Sequence, residues 1–167
     1  MKIKYYKLFS VKMIFGLALV LMLLTFASES SAQRRREVRG KMMTKAQVKA
    51  IINRVEDRLD TFTRNYDKSL DQSKLDGTRR EDWLMKRARD LEDATDELAR
   101  EFDRRDRWIE NKDEVRRCLN IASDIDRNIK NYRYSASTEA NWARVRYELN
   151  TLADVYNLPK VGSNAYR

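Results

Sequence analysis

Apolar positions along this 167-residue chain follow two patterns, one unbroken run near the start and four periodic stretches after Thr44. The run covers Met13–Phe26, follows Lys2, Lys4, Lys7 and Lys12, and gives way to Ser30-Ser31-Ala32. A basic start, an apolar centre and a small-x-small end make the pattern of a secretory leader. Its 14 residues fall short of the ~20 that cross a bilayer core as a helix. The reading is therefore a signal peptide over residues 1–32, removed to leave Gln33 at the N-terminus. The alternative is an uncleaved anchor over Val11–Ala27, because the positive charge that follows directly opposes translocation.

Residues 33–43 are polar and basic without periodicity, and a basic flexible arm is expected there. In the next stretch Val48, Ile51, Ile52, Val55, Leu59, Phe62 and Tyr66 recur at three- and four-residue steps, one face of a helix. Thr44 and Gln47 supply a capping box at its start. Leu70–Thr78 reads as a turn, with Asp76-Gly77 its strongest breaker. Thr78 and Glu81 repeat the capping pattern before Leu84, Ala88, Leu91, Thr95, Leu98 and Phe102, a stripe that Trp83, Ala94 and Ala99 widen. Asp103–Glu110 fits either a helix extension or a connector.

Asn111 with Glu114 marks a third start, and Val115, Cys118, Leu119, Ala122, Ile125, Ile129 and Tyr132 form the third face. Tyr134–Ser137 turns the chain. Trp142, Val145, Leu149, Leu152, Ala153 and Tyr156 form the fourth face, which Pro159 is expected to stop. Strand alternation is missing. These signals predict an all-α fold, an antiparallel up-down-up-down four-helix bundle over residues 44–159, with a flexible tail over 160–167. A faint repeat places Leu91–Phe102 over Val145–Tyr156, and Asp60, Asn65 and Tyr66 over Asp126, Asn131 and Tyr132. Duplication of a helical hairpin and convergence of amphipathic helices both account for it.

Composition narrows the function. Without the leader's four basic and one acidic residues, 31 basic and 25 acidic residues remain, a charge of +6. Such a balance attracts anionic surfaces weakly and does not mark a dedicated nucleic-acid binder. The single cysteine, Cys118, rules out an intramolecular disulfide, and the ten asparagines form no glycosylation acceptor. Together with the leader this points to bacterial export, to the periplasm or the medium. Histidine is absent and glycine numbers four. Histidine-based catalysis, the usual zinc sets and a phosphate-cradling glycine loop are therefore excluded. Neither an enzymatic activity nor a cofactor is expected.

Carboxylates abound on the second helix, at Asp90, Glu92, Asp93, Asp96, Glu97 and Glu101. Asp82–Lys86, Asp96–Arg100, Glu101–Arg105, Asp113–Arg117 and Asp126–Lys130 have the acid-first i,i+4 spacing that pairs charges along a helix. A solvated, salt-bridged face is the expectation. Cys118 sits within an apolar stripe as a buried thiol, with an intermolecular disulfide the functional alternative. Arg34, Arg35, Arg36, Arg39 and Lys41 form a candidate anion-binding arm for phosphates on lipid or another polyanion. No aromatics are interleaved with it. Trp108 and Tyr134 are the aromatics a core explains least, and so are candidates for an exposed patch.

Met43-Thr44-Lys45-Ala46-Gln47 resembles the LTxxQ box of small, basic periplasmic stress chaperones, with Met in place of Leu and a single copy. The resemblance implies an exported, all-helical, non-catalytic protein that holds unfolded clients. The sequence as a whole leads to an exported, non-enzymatic bundle with a structural or protein-binding role in the cell envelope, through a partner or self-association. The alternative is a chaperone-like or polyanion- and acidic-lipid-binding module. Membrane attachment is expected only if the leader stays.

Overall fold

The computed structural model describes residues 43–166. The leader, Arg34, Arg35, Arg36, Arg39 and Lys41 lie outside the described residues. The described chain is all-helical: α1 (Lys45–Asp71), α2 (Arg79–Arg104), a 3₁₀ turn (Trp108–Asn111), α3 (Lys112–Asn131), α4 (Ala136–Tyr156) and a short 3₁₀ turn (Asn164–Tyr166). No helix among the described residues is long and apolar enough to cross a membrane.

Local chemistry sets each boundary. Thr44 Oγ1 accepts from Gln47 N at 3.2 Å while Gln47 Oε1 accepts from Thr44 N at 2.9 Å, the reciprocal cap that opens α1. At α2 the exchange is displaced. Thr78 Oγ1 accepts from Glu81 N at 3.3 Å, but Glu81 reaches past it to the Gly77 amide at 2.6 Å. Gly77 takes φ +70° there, a conformation that costs glycine little. Asn111 occupies the cap of α3 without a side-chain cap bond; its Nδ2 donates instead to Trp108 O at 3.1 Å.

α4 ends at left-handed Asn157 (φ 50°), where Leu158 N donates to Ala153 O at 2.8 Å. Termination thus occurs before Pro159, through a carbonyl-satisfying turn and not through proline itself. Asp103–Glu110 divides into the end of α2, a short connector and the start of the 3₁₀ turn. Arg105 holds that connector, pairing with Glu114 at 2.7 Å and Glu101 at 3.2 Å.

α1 packs against α2 and α4, and α3 against the same two helices. All seven stripe residues predicted for α1 and all six for α4 are buried. Phe62 stacks on Tyr66 with ring centroids 5.0 Å apart and meets Trp142 at the same distance. Each such side chain removed from water contributes about 1.5–3 kcal/mol, which outweighs the modest intrinsic preference of these sequences for helix.

The edges of the stripes depart from expectation. Trp83 is 38% exposed and Tyr132 43%. Periodicity put both on a core face, but each stands at the rim where no neighbouring helix covers it. The segment expected to fray from Lys160 also folds back: Val161 is buried and its amide donates to Asn150 Oδ1 at 2.8 Å. In the faint repeat, Leu91, Thr95, Leu98 and Phe102 are buried like their counterparts Val145, Leu149, Leu152 and Tyr156, but the second set of matches has unlike surroundings. Tyr66 and Asp126 are fully buried, whereas Tyr132 and Asp60 are exposed.

Candidate functional site

Two carboxylates are built into the interior. Asp126 on α3 is 1% exposed; its Oδ1 accepts from Trp142 Nε1 at 3.0 Å and Arg146 Nη1 at 2.9 Å, and Lys130 Nζ lies 2.6 Å from Oδ2. Burial alone would raise its titration point. The bonds from Lys130, Trp142 and Arg146 and the lysine charge outweigh that and hold the carboxyl below its usual range. Glu148 on α4 is 3% exposed and receives Arg54 at 3.0 Å and Arg58 at 2.9 Å, both from α1. Both sites pair their acid with cations from the same bundle, an arrangement of structural ion pairing.

The acids of α1 and α2 behave differently. A groove of about 500 Å³ runs between these helices, lined by Ile52, Phe102, Ala99 and Asn53 with Glu56, Asp57 and Asp103 at its rim. Lys49 is the cation of that lining and pairs with Asp103. Helical spacing carries the acidic edge onward, through Asp60 on α1 and through Asp96, Asp93 and Glu92 on α2.

Among the described residues Glu56, Asp57, Asp60, Glu92, Asp93 and Asp96 form no ion pair. Burial raises the Glu56 carboxyl above its usual range, and the charges of Asp96, Asp57, Asp60 and Asp103 push it further. Glu92 is raised by burial and by Asp60, Asp96 and Asp93, against the opposing effect of the Thr63 hydroxyl. A seam of like charge without ion pairs among the described residues therefore stands in a chain with an excess of cations, with the Arg100 guanidinium acting from a distance on Asp96 and Asp93.

This corrects the expectation of a uniformly salt-bridged α2. Glu101–Arg105 and Asp126–Lys130 form as spaced. Arg100 turns to Glu97, Lys86 to Asp90 and Arg116 to Asp113, leaving Asp96, Asp82 and Asp113 without the partners predicted four residues on. Sequence reasoning missed the seam because it paired charges along single helices. The available signal was acids at steps of four and seven beside two stripes: Glu56 and Asp60, then Glu92, Asp96 and Asp103.

The other predicted residues lie elsewhere. Cys118 is fully buried beside Thr95, and desolvation pushes its thiol up to about 12. Trp108 and Tyr134 do not form an exposed patch, because both pack against the core. Trp108 meets the Tyr156 ring edge-on at 5.5 Å, and Tyr134 sits 5.2 Å from Tyr66. Within the box at Met43–Gln47, Met43 packs on the core, Thr44 and Gln47 cap each other, and Lys45 donates to Arg105 O at 2.8 Å. Asp71, Asp76 and Glu81 converge at the α1–α2 turn within 4.8 Å of one another, an acidic trio the sequence reading did not single out.

Comparison with protein-family models, curated proteins and solved structures finds no match to this chain.

Proposed function

We propose that this chain is an exported, non-enzymatic helical-bundle protein of the cell envelope, and that its α1–α2 groove binds a basic segment of a protein partner. The acidic seam, whose carboxylates form no ion pair among the described residues, carries this reading. Like charges held together cost stability in the free protein, and a cationic segment removes that cost on binding. Ala99, half-buried in the floor of the groove, is the apolar lining left open to the stems of long basic side chains. Export rests on the leader over residues 1–32 and its Ser30-Ser31-Ala32 site.

An up-down-up-down order belongs to the same reading. It is supported by Lys45 at the start of α1 meeting Arg105 just past the end of α2, and by Ser69 near the end of α1 bonding Ser135 before α4 at 2.9 Å.

Calorimetry tests the groove with the chain beginning at Gln33 and a synthetic peptide alternating arginine and leucine. Binding is expected at low salt, weakening as salt rises. Asp57→Asn with Asp96→Asn is expected to weaken it about tenfold. Equal affinity in that variant, or equal binding of a glutamate-leucine peptide, overturns the reading.

A further inference from the structure

Away from the groove, at the corner where the start of α2 meets the end of α3, the surface is aromatic and cationic. Trp83 is 38% exposed, with the Arg80 guanidinium 4.8 Å and the Arg87 guanidinium 5.7 Å from its ring centroid. Arg87 is compensated by Asp124 at 2.8 Å and Asp90 at 3.2 Å. Arg80 has no carboxylate partner among the described residues. Its Nη2 donates to the neutral Asn128 Oδ1 at 2.6 Å, which fixes the cation across the two helices. One turn beyond Asn128, Tyr132 is 43% exposed, and Arg133 beside it is exposed without an ion pair among the described residues.

We propose that Arg80, Trp83, Tyr132 and Arg133 form a docking surface for an anionic lipid bilayer. Trp and Tyr in the company of arginines are the side chains that favour a membrane–water interface, apolar body inward and polar tip at the headgroups. Each uncompensated arginine near an anionic leaflet raises partitioning about fivefold. Single-stranded nucleic acid fits less well, because base stacking needs an open ring face and guanidiniums lie over that of Trp83. This surface shares no residue with the α1–α2 groove, so the proposal stands apart from the partner-binding reading.

The experiment uses the chain beginning at Gln33 with vesicles of phosphatidylcholine alone or mixed with phosphatidylglycerol, read by co-sedimentation and indole emission. Trp142 is buried and Trp108 packs on the core, so a blue shift on binding reports Trp83. Binding to the anionic vesicles alone is expected, with the shift absent in Trp83→Phe. Arg80→Gln with Arg133→Gln is expected to weaken it about 25-fold. Because Arg80 also ties α2 to α3, Arg133→Gln by itself serves as the control that leaves packing intact, at about fivefold. Undiminished binding in these variants overturns the proposal. So does binding lost solely when Arg34, Arg35 and Arg36 become Gln, or binding of inorganic phosphate or an oligonucleotide without vesicles.

Discussion

Gly162 lies so close to Asp126 that a β-carbon on it would stand 2.6 Å from Oδ2 of the carboxylate, and 2.9 Å from Lys130 Nζ. The chain after α4 thus closes over the end of a buried ion pair, at a residue whose φ of +81° favours glycine. Gly77 has a comparable φ of +70° with nothing within 4 Å of the same position. Gly162→Ala is expected to cost about 2–3 kcal/mol and Gly77→Ala about 1 kcal/mol, measured by urea unfolding. The difference isolates the close approach from backbone strain. Equal losses would mean that the tail does not press on Asp126.

Asp126→Ala leaves Arg146 and Lys130 without their acid and the Trp142 indole without its acceptor. A loss of about 3 kcal/mol is expected. The folded carboxyl titrates below its unfolded value of about 3.9, so the unfolded chain takes up the proton first. Its contribution is complete above that pH and disappears as pH falls through the folded value. Acid unfolding followed by circular dichroism should show a shallower pH dependence in Asp126→Asn than in the parent.

Glu92 has the opposite sign. Its raised titration point means that the folded protein keeps the proton to higher pH than the unfolded chain, whose value is about 4.3. Stability attributable to this group therefore falls as pH rises through the folded value. Glu92→Gln should stabilise the protein by about 0.5 kcal/mol at neutral pH, with the gain vanishing below about pH 4. A destabilised variant at neutral pH would show that the Thr63 contact outweighs the surrounding acids.

Cys118 is expected to resist thiol reagents in the folded protein, since its thiol is fully buried and pushed up to about 12. Labelling should follow the rate of unfolding as denaturant is added, and light scattering should give one mass with or without reductant. Rapid labelling without denaturant, or a reductant-sensitive dimer, would reveal an opening between α3 and its neighbours.

What the sequence determined by itself is the helical content, the apolar stripes that make the core, the cap at Thr44 and the turn around Gly77. All of these arise from contacts within a few residues or from the strong drive to bury a continuous face. Tertiary structure alone decided which rim aromatics were covered: Trp108 finds Tyr156, while Trp83 and Tyr132 find no helix above them. It also decided which acids were paired. Asp126 gains Trp142 and Arg146 from a different helix, whereas Asp96 loses Arg100 to Glu97 and faces the acids of α1 instead. Periodicity sets the direction a side chain takes from its own axis, but the neighbour it meets depends on how axes assemble. Electrostatic energy, falling off with distance through space and not along the chain, is settled at that later stage.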